Sequence, residues 1–138
     1  MALVALALLL ALGGCAGRGE RADRGQERAI IALNMNPATP SSAPTQLIVQ
    51  LTTPEGAPLT GARVTVEGDM SHAGMQLVNG EAREQGNGSY IVDNFHFTMG
   101  GDWVLIVRAT LADGTQVQQT FPLDGVAGMV ERAPLPRA

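Results

Sequence analysis

Lysine is absent from this 138-residue chain, and all nine of its basic side chains are arginine. A Schiff-base lysine and the phosphate-binding lysine of a P-loop are thereby excluded. The chain has one cysteine, one tryptophan, one tyrosine and two histidines. It has no apolar run approaching the roughly 20 residues that a membrane-crossing helix needs. Nine bases against 13 acids give a net charge of −4, without the basic footprint that marks a nucleic-acid partner. Ser71 and His72 are too close in sequence for a hydrolase triad, and no G-x-S-x-G occurs. The scattered Asp and Glu form no recognisable catalytic pair, and the chain is read as non-enzymatic.

What apolar sequence there is divides unevenly. Residues 1–14 (MALVALALLLALGG) carry no charge and are almost wholly hydrophobic, whereas the 124 residues that follow are about 40% hydrophobic. The 11-residue run Ala2–Leu12 is too short to span a bilayer and has the length of a signal-peptide core. It is followed by Leu12-Gly13-Gly14-Cys15, which looks like a bacterial lipobox, with Cys15 as the lipidated residue. Used in this way, the only cysteine leaves the rest of the chain without a disulfide, a thiolate metal ligand or a thiol nucleophile. Residues 15–28 continue as AGRGERADRGQER after Cys15, with seven charges, three Gly and no hydrophobe larger than Ala. This composition predicts a flexible tether. The expected location is the extracytoplasmic side of the cell envelope, facing the periplasm in a two-membrane organism, with the membrane as partner through the lipid.

Residues 29–124 read as one all-β domain. Short β-rich runs alternate with Gly, Pro, Asn and Asp clusters, and no stretch keeps a helical period. Thr45–Thr53 places Leu47, Val49 and Leu51 on one face, interrupted only by Ile48. Ala62–Glu67 alternates Ala62, Val64 and Val66 with Arg63, Thr65 and Glu67. Asn79-Gly80 and Asn87-Gly88 are both hairpin signals and bracket a short strand at Glu81–Gln85. Trp103–Leu111 and Thr115–Leu123 flank the turn Ala112-Asp113-Gly114. About seven strands at this spacing predict an immunoglobulin-like β-sandwich; a small Greek-key barrel is the alternative. Residues 125–138 read as a loosely attached tail.

The candidate chemistry lies in methionine and histidine. Met70, His72 and Met75 form an M-x-H-x-x-M segment placed in a loop directly after a strand, and His96 and Met99 form a second group. Thioether sulfur with imidazole is a soft donor set that selects Cu(I). In an extended segment Met70 and His72 share a side, Gly74 permits a turn that returns Met75, and Met99 can approach from a neighbouring strand end. The plainer alternatives are a hydrophobic lid over one open end of the sandwich (Met70 and Met75), a surface histidine (His72) and a solvated strand position (His96). Zinc would need both histidines with Asp69 or Asp102 to converge. Asp102, Trp103 and Tyr90 read as structural.

Gly61-Ala62-x-Val64, the Met70–Met75 segment, Gly88-x-Tyr90 and Phe97-x-Met99-x-Gly101-x-Trp103-x-Leu105-x-Val107 occur in that order. In this combination the sequence resembles the YtkA-like family of small bacterial envelope domains, itself similar to the extracytoplasmic part of FixH-type proteins. The resemblance covers about Ala29–Leu123. It implies an immunoglobulin-like sandwich, frequently tethered to the membrane and associated with copper handling or oxidase assembly, with a Met/His loop at Met70, His72 and Met75 and Met99 as a further donor. The function expected is a copper chaperone or resistance accessory. The alternative is an adaptor module that docks on an envelope protein without metal. Radiolabelled palmitate is expected to enter the wild-type protein, and Cys15→Ala is expected to incorporate none and to leave the membrane fraction; a Cys15→Ala protein that stays with membranes contradicts the anchor.

Overall fold

The computed structural model describes residues 28–70, 74 and 76–128. The expected signal peptide, Cys15, nearly all of the tether and most of the tail lie outside the described residues. Eight strands form two four-stranded sheets, antiparallel throughout: β1 (Ile30–Asn36), β2 (Thr45–Thr52), β3 (Arg63–Met70), β4 (Val78–Glu81), β5 (Arg83–Gly86), β6 (Ser89–Phe95), β7 (Gly101–Thr110) and β8 (Gln116–Val126). One sheet has the order β1-β2-β6-β5 and the other β4-β3-β7-β8. Taken in chain order, these are the A-B-E-D and C′-C-F-G sheets of an immunoglobulin-like sandwich, as the strand spacing and turn signals predict.

The core follows from alternation. Leu47, Val49 and Leu51 of β2, Val64 and Val66 of β3, and Leu105 and Val107 of β7 are fully buried. Each faces inward with period 2, while Ile48 turns to the half-buried outer face and resolves the one interruption in the β2 pattern. Trp103, Tyr90 and Phe97 are the largest buried side chains. Leu111, Phe121 and Leu123 pack on the core from partly exposed positions.

Three sequence expectations need correction. There are eight strands among the described residues, not seven, because the stretch expected as one strand at Glu81–Gln85 is two. The chain changes sheet at Ala82, whose N–H donates to the Val64 carbonyl at 2.9 Å as it crosses. Asn87-Gly88 is a hairpin turn, with φ of 52° and 72°, but Asn79-Gly80 lies inside β4 and pairs with Val66 and Glu67. Gly80 is required by proximity and not by a turn, since a Cβ there would stand 2.5 Å from Val92 Cγ1 of the opposite sheet. Finally, the domain extends past residue 124: β8 runs to Val126, which is buried, and Ala127 bridges Ser41 in parallel.

Pairing divides the sandwich into two ends. At the first lie Ile30↔Thr52, Gln50↔Ser89 and Thr110↔Gln116. Arg28, just before β1, reaches Asp113 of the β7–β8 turn there at 3.7 Å. At the second lie Asn36↔Gln46, Thr45↔Phe95, Met70↔Trp103 and Gly101↔Val126.

Tyr90 closes the first end. Its hydroxyl donates to the Leu59 carbonyl at 2.9 Å and accepts from the Ala62 N–H at 3.1 Å, pinning the β2–β3 connection onto β6. Burial raises its pKa above the ordinary phenol value, partly offset by the Ala62 hydrogen bond, with the nearby Glu84 charge adding to the rise. With no lysine and one tyrosine in the chain, Tyr90 is the one side chain that titrates near pH 10. Because the folded state keeps the phenolic proton longer than the unfolded state does, stability is full below about pH 10 and falls as pH rises through the folded-state value. Tyr90→Phe should cost about 1–3 kcal/mol in urea unfolding at neutral pH, from the orphaned backbone partners. It should also abolish the loss of stability above about pH 10; an unchanged alkaline limb would contradict the assignment.

Candidate functional site

The second end of the sandwich holds every candidate donor that the structure describes. Met70 is the last residue of β3, not a loop residue, and its side chain is 8% exposed. It pairs with Trp103 of β7, and its Cε lies 3.2 Å from the place a Cβ would occupy on Gly101. Gly101, at φ 128°, therefore gives the Met70 methyl its room. A buried thioether at a strand end is the lid-like role weighed for it from sequence, and Met fills such irregular spaces well.

Met99 differs in environment. It lies in the bend between β6 and β7 and is 50% exposed. Its backbone carbonyl accepts the Trp103 indole N–H at 3.1 Å. Trp103 thus contacts both methionine segments, one through the β3–β7 ladder and one through its side chain. Around it the rings of Phe95, Phe97 and Trp103 stack edge to face, with centroids 5.2 Å and 5.3 Å apart, an arrangement favoured by the ring quadrupoles.

His96 projects from between Phe95 and Phe97 and is exposed while both phenylalanines are buried, as their alternation predicts. His72 and Met75 lie outside the described residues. Gly74, between them, is exposed with φ 91°, a turn conformation that glycine supplies without strain. The Asp102 carboxylate accepts the Gly125 N–H at 3.0 Å and ties β7 to the end of β8, the structural role that its position in the Gly100-Gly101-Asp102 turn suggests. Among the described residues no three His, Cys, Asp or Glu gather into a group that could hold a metal.

Two features escape sequence reasoning. The indole link to Met99 O spans four residues through a turn whose geometry composition does not specify. Leu77, ahead of β4 on the same end, is 52% exposed, so that with Met99 it gives this end two exposed large apolar side chains.

Residues 24–108 match the YtkA-like family along more than half of the chain. The chain belongs to the YtkA-like family. The match contains the Met70–Met75 segment, Met99 and Trp103, so both methionine groups are within the YtkA-like region. Among solved structures, the selenomethionine form of PcoC, a copper resistance protein from Escherichia coli, is similar. The two share 16% identity over 67% of this chain and 95% of that one, with a TM-score of 0.37, a likeness too distant to carry a ligand or a site across. None of the curated proteins compared with this YtkA-like chain matches it.

The two methionines of this end should separate by stability. Met70→Ala is expected to cost about 2–3 kcal/mol in urea unfolding, at the low side of buried Met→Ala changes because the side chain sits at the sandwich end. Met99→Ala should stay within about 0.5 kcal/mol of wild type. Equal losses would contradict the burial difference.

Proposed function

We propose that this YtkA-like protein is a non-enzymatic, lipid-anchored protein of the bacterial cell envelope. It takes up Cu(I) transiently at the second end of its sandwich, as a copper chaperone or resistance accessory. The observation that carries the reading is topological: β3 delivers Met70, and with it the start of the M-x-H-x-x-M segment, to the same end as Met99, with Trp103 touching both sides. The donors are Met70, His72, Met75 and Met99, a thioether and imidazole set whose softness fits Cu(I) over harder ions. Met99 is exposed enough to meet an incoming ion, whereas Met70 would serve from within the lid.

Lipidation of Cys15 complements this placement. It removes the only thiol, which would otherwise compete for Cu(I). The chain enters β1 beside Asp113 at the first end, so an anchor preceding Arg28 leaves the donor-bearing end as the one away from the point of attachment. The six longer strands, of seven to eleven residues, separate the two ends by about 25–35 Å.

The exposed pair Leu77 and Met99 favours one second reading, an adaptor whose apolar end docks on an envelope partner protein. Titration of the full chain carrying Cys15→Ala with Cu(I), under anaerobic conditions and against a competing chelator, separates the two. The copper reading expects one bound ion and at least a tenfold loss of affinity in Met70→Leu/Met75→Leu, a pair chosen to keep side-chain volume. No binding, or binding that the substitutions leave unchanged, removes it and leaves the adaptor.

A further inference from the structure

The two methionine segments of this end meet at one residue, Trp103. Trp103 is 1% exposed and is the Cα partner of Met70 across the β3–β7 ladder. Its indole N–H is donated to the Met99 carbonyl, the only side-chain hydrogen bond recorded for the 96–100 bend among the described residues. The ring is held by Phe97, whose centroid lies 5.3 Å away at an interplanar angle of 77°. Backbone space beside it is kept by Gly101, against which the Met70 methyl rests.

Burial alone would call for an aromatic ring at position 103, and phenylalanine would meet it. The N–H does something else. It fixes the Met99 carbonyl in a bend where the Thr98 and Met99 side chains are exposed, between the buried Phe97 and Gly100, which lies against the backbone of Gly128.

We infer that Trp103 is a positioning residue for Met99: its indole N–H holds the 96–100 bend in the conformation that presents the Met99 thioether beside the β3 end carrying Met70. Trp103 touches no ligand in this scheme and acts through the Met99 backbone. The inference rests on the proposed use of this end for Cu(I), but its first consequence is a property of the metal-free protein.

The test compares Trp103→Phe with Phe97→Leu in the full chain carrying Cys15→Ala. The first removes the N–H and keeps a buried ring. The second loosens the same aromatic stack and keeps the N–H. In metal-free protein, amide hydrogen exchange of residues 98–101 should rise about tenfold or more in Trp103→Phe, and the Met99 methyl resonance should shift and narrow towards that of a free methionine. Phe97→Leu should leave both near wild type even if its melting temperature falls as far. Exchange and methyl signals unchanged in Trp103→Phe, or changed equally in both variants, overturn the inference.

Cu(I) titration adds the functional arm. Trp103→Phe should bind Cu(I) about tenfold more weakly than wild type, and Phe97→Leu should bind it like wild type. Wild-type protein that binds Cu(I) with Trp103→Phe unaffected also overturns the inference. Wild-type protein that binds none removes the copper reading instead, and the exchange and methyl measurements then decide the positioning role by themselves.

Discussion

The two sheets can close on each other at the donor-bearing end because two residues there have no side chain. Gly68 of β3 and Gly80 of β4 lie on neighbouring strands, and across from them stand Phe95 and Val92 of β6. A Cβ on Gly68 would be 2.9 Å from Phe95 Cζ, and one on Gly80 would be 2.5 Å from Val92 Cγ1. Neither distance is sustainable without moving something, so the close approach of β6 to the second sheet requires glycine at both positions. Seating Phe95 there places Phe97 and then Trp103 in its edge-to-face row. Trp103 then meets Met70 and Met99. Candidate-site geometry thus begins with two hydrogen atoms in place of side chains, at positions that carry no donor themselves.

Polar interactions contribute order more than stability. Arg108 spans Glu67 and Gln118 on the outer face of the β4-β3-β7-β8 sheet, at 3.0 and 3.1 Å, and Arg83 meets Asp93 at 3.0 Å on the other. These are half-exposed or exposed pairs, each worth no more than about 1 kcal/mol. Their placement across adjacent strands supports the register, because a one-residue slip would turn each partner to the opposite face. Inside, no buried side-chain N or O among the described residues lacks a hydrogen-bond partner. In a domain without a disulfide, the apolar alternation of β2, β3 and β7 therefore carries the fold.

That alternation is also what made the fold legible. Leu47-x-Val49-x-Leu51 and Trp103-x-Leu105-x-Val107 declare half-buried strands with no knowledge of their partners, and Asn87-Gly88 declares its hairpin because positive φ is a local demand. Asn79-Gly80 misleads for the same reason it attracts notice. Glycine answers both to backbone conformation and to crowding from a distant strand, and only the second, which is invisible in sequence, operates at Gly80. The change of sheet at Ala82 is likewise a long-range property, settled by whether Val64 or β6 offers the nearer hydrogen-bonding edge.

The candidate site divides along the same line. Residue type and spacing identify Met70 and Met99 as soft donors, but identical thioethers end in unlike environments. Met70 belongs to an inward-facing strand position, in phase with Val64 and Val66, and its burial follows from period 2 once β3 is seen to reach it. Met99 lies beyond the strand, where period gives no instruction and an indole hydrogen bond adds to the packing of Phe97 and Gly100 on either side. The strand end and aromatic row give a floor whose cost is already met by the core. Gly68, Gly80, Gly101 and Trp103 are constrained by packing against the core and by the aromatic row.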